Sequence, residues 1–348
     1  MPRKLRDIFP ADKQNCIFFG KGRQSPQEVD VSHGFTRRLV FGSVLAAPFI
    51  RPARAADTIR LGLPTKAYWP TILATAAVRQ GFFTKEGIGA EPTVYRGGAE
   101  CFEALAAGAA DLILDPPSLV AAGLRKGVPA KAVAGGSSLY SGWHLLVRQD
   151  SPVKDVSELA GKKVGITSAG SASDQLALWT QQDRRIQFNR VPLGGGGLVP
   201  NLRSRNVDAA VVYSPLSFQL EQAGQARLLL DYAQAIPAHV STVWITTQPL
   251  IDRNPALIQK ALNAIYGAVR WMQANKDASV ALIAEIDEVP PEAAAAEWEQ
   301  TILKLSADGA MPLAGIEYNL ELSRLSGMTD MAPAPEVVSD RFKPVPTA

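Results

Sequence analysis

The chain has 348 residues, of which 47% are apolar and 20% are charged, and its formal net charge is +3. This composition is typical of a soluble globular protein, and the length suits one large domain or two smaller lobes. The positive charge is concentrated at the N-terminus, because residues 1–56 hold ten of the 36 Lys and Arg but only four of the 33 Asp and Glu. The other 26 basic and 29 acidic residues give a net charge of −3, which excludes the basic footprint of a nucleic-acid-binding protein.

Residues 35–56 have the pattern of a secretory signal peptide. Arg37 and Arg38 precede an apolar run over residues 39–50, which is too short to span a bilayer. An A-x-A cleavage pattern ends at Ala55, and the start of the segment resembles the twin-arginine export motif. We therefore predict a leader over residues 1–56 that is cleaved near Ala55 during export to the periplasm. The alternative is a buried N-terminal helix with a basic flank.

The two cysteines indicate no disulfide in the exported chain, because Cys16 lies in the leader and leaves Cys101 alone. Neither cysteine lies at the cleavage site, so a lipid-anchored cysteine is not expected. After the leader, no segment is long and apolar enough to cross a membrane, so we expect no stable membrane insertion.

After the leader the chain alternates strand and helix patterns. The predicted strands of a first lobe are residues 58–64, 90–96, 111–115 and 130–135. Helices are predicted between them, one of them beginning at Pro70 and ending at Gly81. Alternation of this kind indicates a largely parallel sheet with helices on both faces.

The pattern repeats in a second lobe, with predicted strands over residues 163–167, 186–191 and 208–213. Residues 97–118 and 194–217 each give glycines, a helix, an Asp, a strand and a Pro-containing loop. Two similar α/β lobes are therefore predicted. The predicted boundaries are a first lobe over 57–141, a crossover over 142–148, a second lobe over 149–238, a second crossover over 239–247, and C-terminal helices over 248–348 that pack on the first lobe.

The stretch KKVGITSAGSASDQLALW, residues 162–179, predicts a strand, a turn of small residues and a helix capped by Ser171, with Asp174 three residues on. The start of a helix offers unpaired N–H groups and partial positive charge, which suit an anion. We expect residues 168–171 to face residues 97–99 across a cleft, so that two helix starts converge on one ligand.

Three stretches in order resemble the substrate-binding proteins of ABC importers, and most closely the group that takes nitrate, sulfonates, taurine and thiamine precursors (SsuA/THI5-like, NMT1-like). They are GFFTKEGI at 81–88, GGAECFEALAAGAADLIL at 97–114 and LLVRQDSPVKDVSELAGKKVGIT at 145–167. The resemblance covers most of residues 57–330. It implies an α/β clamshell of the periplasmic-binding-protein type II fold, which closes on its ligand by hinge motion.

The resemblance also implies a function, partners and a site. The expected protein is a periplasmic monomer without cofactor or metal, which captures a small organic anion (a sulfonate, a taurine-like molecule or a carboxylate) and delivers it to an ABC permease and its ATPase. A thiamine-precursor pyrimidine or another heterocycle is the rival ligand. Because ligands of open α/β sheets bind at the carboxyl ends of the strands, the expected ligand-binding residues are Lys66, Tyr68, Trp69, Gly98, Ala99, Asp115, Ser118, Ser137, Tyr140, Ser168, Gly170, Ser171, Gly195, Tyr213, Ser214 and His239.

Several of these residues have a structural alternative. Ser171 is expected to cap its helix whether or not it contacts a ligand, and Lys66 suits a solvated loop. The aromatic rings of Tyr68 and Trp69 could fill the core of the lobe. His144 and His239 fall in the predicted crossovers, where a structural role is favoured over metal binding because no third ligand lies near. Cys101 is expected to be a buried apolar residue.

The sequence argues against enzyme activity. It contains no nucleotide-binding glycine motif, metal-binding histidine pair or nucleophile elbow. Desulfinases with a catalytic cysteine resemble this group, but the first cleft loop, residues 65–69, has no cysteine. Pyrimidine synthases of the group carry a cysteine-rich motif that is missing from this sequence. A periplasmic sensor that presents its ligand to a membrane receptor remains an alternative to transport.

Overall fold

The computed structural model describes residues 57–342, so the predicted leader lies outside the described residues. Within this range the strands β1 to β10 are Thr58–Leu63, Gly89–Val94, Leu112–Asp115, Ala130–Ser137, His144–Arg148, Lys163–Ile166, Asn189–Pro192, Ala209–Val212, Ala226–Asp231 and Thr242–Thr247. The helices α1 to α14 are Trp69–Arg79, Phe82–Lys85, Gly98–Ala106, Pro117–Arg125, Ala172–Arg184, Leu198–Arg203, Leu216–Gln222, Tyr232–Ala235, Gln248–Arg253, Pro255–Ala274, Lys276–Asp287, Pro291–Gln300, Leu313–Leu325 and Ala334–Val337.

The strands form two five-stranded sheets, in the orders β2-β1-β3-β10-β4 and β7-β6-β8-β5-β9. In the first sheet β10 runs antiparallel to β3 and β4, and in the second β5 runs antiparallel to β8 and β9. The other four strands of each sheet share one direction. The predicted α/β class with two mainly parallel sheets is therefore confirmed.

The chain passes between the two sheets twice. After β4 of the first sheet it enters the second at β5, and after β9 of the second it returns to the first at β10. The segments 142–148 and 239–247, predicted as crossovers, thus each supply the one reversed strand of a sheet. The two lobes are therefore joined by two connections.

The C-terminal helices pack mainly on the first sheet. Helix α10 begins with Asn254, whose side chain accepts a hydrogen bond from the Leu257 N–H at 3.2 Å, and Pro255 occupies the first turn. Its buried face, which includes Ile258 and Ile265, packs toward α1. A second apolar cluster joins Ile316 of α13 to residues of the first sheet, so α13 belongs to the first lobe.

Two details of the second sheet differ from the sequence prediction. The strand predicted over 186–191 begins later, at Asn189, because Arg185 adopts a left-handed conformation (φ 53°) and Phe188 is buried before the strand begins. Strand β9, Ala226–Asp231, was not predicted. It lies at the edge of the sheet and its residues are mostly half-buried, so its sequence has no strong alternation.

Among residues 57–342, no helix is both long enough and apolar enough to cross a membrane.

Candidate functional site

The carboxyl ends of β1, β3 and β6 lead into loops that surround a cavity between the two sheets. Its water-accessible volume is about 30 Å³, which is room for about two water molecules. A larger molecule fits there only if the site widens. The residues that line it come from both lobes and both connections: Pro64, Thr65, Tyr68, Gly98, Leu114, Asp115, Pro116, Trp143, Thr167, Ser171, Ala172, Tyr213 and Thr242.

Three aromatic rings form one wall of this cavity. Tyr68 comes from the first lobe, Tyr213 from the second and Trp143 from the connection between them. The Tyr68 centroid lies 5.1 Å from that of Tyr213 and 5.6 Å from that of Trp143. The Trp143 indole N–H donates to the Tyr68 hydroxyl at 3.3 Å. Burial raises the pKa of Tyr213 to about 12, so this wall is uncharged at neutral pH.

Asp115 places a carboxyl group at the cavity, at the end of β3. The residue is 3% exposed, and its Oδ2 has no hydrogen-bond partner in the described part of the chain. Burial raises the pKa of Asp115 well above its usual range. A buried acid of this kind stays protonated unless a cation or hydrogen-bond donor approaches it.

The close approach of Asp115 depends on a glycine. A Cβ built at Gly98 would lie 2.0 Å from Asp115 Oδ1. Asp115 thus lies against the first turn of α3, where its own carboxyl occupies the position expected for an anionic ligand. The start of α3 is therefore less available to an anionic ligand.

The start of α5 forms the opposite side of the cavity. Ser171 is the N-cap, as predicted, and its hydroxyl accepts from the Asp174 N–H at 3.4 Å. The Asp174 carboxylate accepts in turn from the Gly170 N–H at 2.8 Å and pairs with Arg190. The Gly170 N–H is thus already satisfied within the chain, while Ser171 and Ala172 line the cavity.

Neighbouring hydroxyl groups extend this side of the site. The Thr167 hydroxyl donates to the Ser171 hydroxyl at 2.8 Å, and Thr167 lines the cavity. The hydroxyl of Thr242, which also lines it, is buried without a hydrogen-bond partner among the described residues, as is Asp115 Oδ2. Unpaired polar atoms around one cavity are positioned to bind a polar ligand.

The two lobes touch beside the cavity. A Cβ built at Gly97 would lie 2.7 Å from Ser168 Oγ, so Gly97, the residue before α3, lies beside the turn at residues 168–171. The Gly195 N–H donates to the Arg96 carbonyl across the cleft at 2.8 Å. A Cβ at Gly195 would lie 2.4 Å from Thr65 Cγ2, so the glycine allows the second lobe to approach this closely.

Other predicted site residues do not line this cavity. Lys66 is exposed and pairs with Glu288 at 2.5 Å. Ser137 and His239 line a separate cavity of about 470 Å³. The remaining predicted residues outside the cavity lining are Trp69, Ala99, Ser118, Tyr140, Ser168, Gly170, Gly195 and Ser214.

Sequence reasoning missed Trp143, Thr167 and Thr242 as lining residues. Trp143 lies directly before the reversed strand β5, and Thr242 is the first residue of the reversed strand β10, both at the connections between lobes. Position in a crossover was the available signal, because the connections of a clamshell border its cleft. Thr167 directly follows β6 and could have been included with its loop.

The described residues show no catalytic centre of the desulfinase type. Cys101 is fully buried on α3 and does not line the cavity, and burial raises the pKa of its thiol. A thiol held in its neutral form is a poor nucleophile. Residues 57–342 also contain no group of three or more metal-ligating side chains.

The family model described as NMT1/THI5 like matches residues 71–279 of the chain. A binding protein of Brucella abortus is 25% identical over 308 residues, which covers 85% of this chain and 92% of the relative.

Two solved structures share the fold. The alkanesulfonate-binding protein SsuA from Xanthomonas axonopodis pv. citri has a TM-score of 0.70 at 16% identity, and the match covers 82% of this chain and 99% of that one. The desulfurization enzyme DSZB has a TM-score of 0.58 at 19% identity, and the match covers 82% and 97%. The same fold thus occurs in binding proteins and in an enzyme. The fold alone does not separate the two classes, so the residues of the cavity have to.

Proposed function

Since this chain belongs to the NMT1/THI5-like family, we propose that it is an exported solute-binding protein that captures a small zwitterion of the taurine type and delivers it to an ABC importer. The single observation that carries the ligand class is the pairing of Asp115 on one side of the cavity with the start of α5 on the other. Asp115 suits an amino group of the ligand, and the start of α5 suits an acidic group.

The amino group of the ligand is assigned to Asp115. Among the described residues that line the cavity, Asp115 carries the one ionisable carboxyl, and no Lys or Arg is present to offset a simple anion. An ammonium group would restore the carboxylate form of Asp115 and pair with its free Oδ2. The rings of Tyr68, Trp143 and Tyr213 add cation–π attraction.

The acidic group of the ligand is assigned to the start of α5. The helix start carries partial positive charge, and Thr167, Ser171 and Ala172 line the cavity there. The alkanesulfonate ligand named for the Xanthomonas relative supports an acidic head group. The small cavity favours a short molecule.

Calorimetry tests this proposal with taurine, ethanesulfonate and ethylamine. Taurine should bind more tightly than ethanesulfonate, which lacks the amino group, and than ethylamine, which lacks the sulfonate. Since Asp115 passes from acid to carboxylate on binding, taurine should release a proton, so the measured heat should depend on the ionisation enthalpy of the buffer. Asp115→Asn should weaken taurine binding by at least about tenfold.

Two control variants make this result specific. Asp183→Asn removes an exposed carboxylate of α5 that pairs with Arg184 and should leave the affinity unchanged. Lys66→Ala should also leave it unchanged, because Lys66 pairs with Glu288 outside the cavity. Binding of ethanesulfonate as tight as that of taurine, with affinity lost in Lys66→Ala, would contradict the zwitterion and restore the simple anion.

An aminopyrimidine is the second candidate ligand, and the three aromatic rings favour it. A flat heterocycle would stack on Tyr68 or Tyr213, and the Asp115 carboxyl would accept from its amino group. A competition experiment with taurine and 4-amino-2-methylpyrimidine distinguishes the two ligands. If the pyrimidine is the ligand, taurine should fail to displace it.

A further inference from the structure

We propose that Gln175, Tyr140 and Ser323 form a latch that holds the two lobes closed and sets ligand affinity from outside the cavity. None of the three lines the cavity between the lobes. The proposal rests on the proposed binding function but not on the identity of the solute.

The latch joins three parts of the chain. Gln175 lies on α5 of the second lobe, Tyr140 precedes β5 in the connection between lobes, and Ser323 lies on α13 of the first lobe. The Gln175 Nε2 donates to Ser323 Oγ, and the Gln175 Oε1 accepts from the Tyr140 hydroxyl at 3.4 Å. The side-chain amide of Gln175 is therefore bonded on both sides by groups that do not belong to its lobe.

The partners are held in place by their own contacts. Ser323 is fully buried, and its hydroxyl donates to the Asn319 carbonyl one turn earlier at 2.9 Å. The ring of Tyr140 packs against that of His239, in the other connection, at 5.3 Å between centroids. Both connections between the lobes therefore contribute a residue to the latch or to its immediate contacts. Movement of α5 away from α13 would break the hydrogen bond between Gln175 and Ser323.

Gln175 is also close in sequence to residues that line the cavity. It lies one turn after Ser171 and Ala172, which line the cavity from the same helix. A ligand that draws the start of α5 toward the first lobe would bring Gln175 to Ser323 at the same time. The latch bonds then add to the stability of the closed form alone, which lowers the dissociation rate of the ligand.

The burial of these groups makes the effect large enough to measure. Gln175 is 5% exposed, and loss of a hydrogen bond at a buried polar pair costs about tenfold in an equilibrium constant. Gln175→Ala and Ser323→Ala should each reduce the closed population by about that factor, and the double variant should lose little more than either. Ser323→Thr keeps the hydroxyl and should restore closure.

Distances between two spin labels measure the closed population directly. Labels at Gln80→Cys in the first lobe and Ala160→Cys in the second lie on exposed positions, while Cys101 is buried and stays unlabelled. Distance distributions are recorded without added solute and with saturating taurine or 4-amino-2-methylpyrimidine. Gln182→Ala, an exposed glutamine on the same helix, is the control.

The proposal expects a shift toward longer distances in Gln175→Ala and Ser323→Ala but not in Gln182→Ala. Unchanged distributions in the two latch variants would overturn it, and so would a parent protein that shows no short-distance population in any condition. If neither solute binds, the ligand assignment fails while the distributions without solute still test the latch.

Discussion

The buried acid pair of α11 and α12 gives a prediction about pH. Glu297 is fully buried and Asp287 is 7% exposed. Burial raises the pKa of Glu297 to about 7, against a smaller opposing effect of the Ser214 and Thr301 hydroxyls. Burial, together with repulsion from Glu297, raises the pKa of Asp287 to about 8. The two acids are therefore largely protonated in the folded protein below pH 7.

These raised pKa values make the folded protein less stable as the pH rises. The folded state holds protons that the unfolded chain releases near its ordinary pKa of 4.5 for Glu, so stability is full below that pH and falls as the pH rises toward 7. The difference between 4.5 and about 7 for Glu297 corresponds to about 3 kcal/mol. Glu297→Gln removes this titration and the repulsion on Asp287, while burial still raises the pKa of Asp287, so its free energy of unfolding should change less than that of the parent between pH 5 and 8.

Urea unfolding at pH 5, 6, 7 and 8 measures this difference. The parent should lose stability over this range, and Glu297→Gln should become more stable than the parent at pH 8. Glu292→Gln, an exposed glutamate on the same helix, should follow the parent. A parent whose stability is constant from pH 5 to 8, or a Gln variant with the same slope as the parent, would refute the reasoning.

Three further predictions concern the site, the chemistry and the leader. Gly98→Ala should weaken taurine binding by at least about tenfold in calorimetry, because the added Cβ would lie 2.0 Å from Asp115 Oδ1; unchanged affinity would contradict the packing of Asp115 on α3. Cys101→Ala should bind as the parent does, and mass spectrometry should recover the ligand unchanged; loss of a turnover activity in this variant would support the desulfinase alternative. A reporter fused to residues 1–56 should reach the periplasm, and less of it when Arg37 and Arg38 are both changed to Lys; full export in a strain without the twin-arginine pathway would contradict that route.

Local signals in the sequence predicted local structure well. Ser171 caps α5 and Asn254 caps α10 because a polar side chain at a helix start needs only its own neighbours to make its bond. The glycines before α3 were likewise predictable, since they follow a strand and open a helix. We expected residues 168–171 to face residues 97–99, and Gly97 lies beside Ser168.

Contacts between distant segments were harder to predict. The sequence suggested Lys66 as a ligand contact, but its partner Glu288 lies 222 residues away. His239 lies between α8 and β10, and it lines a different cavity. The reversal of β5 and β10, and with it the position of Trp143 and Thr242 at the cleft, depends on how strands pair and not on their own residues.

A crystal structure of the protein grown with taurine tests the central claim most directly. The account predicts taurine between the lobes, with its nitrogen within hydrogen-bond distance of the Asp115 carboxyl and its sulfonate at the start of α5, next to Thr167 and Ser171. Taurine bound in the opposite direction, in the cavity beside His239, or nowhere in crystals soaked to saturation would contradict it.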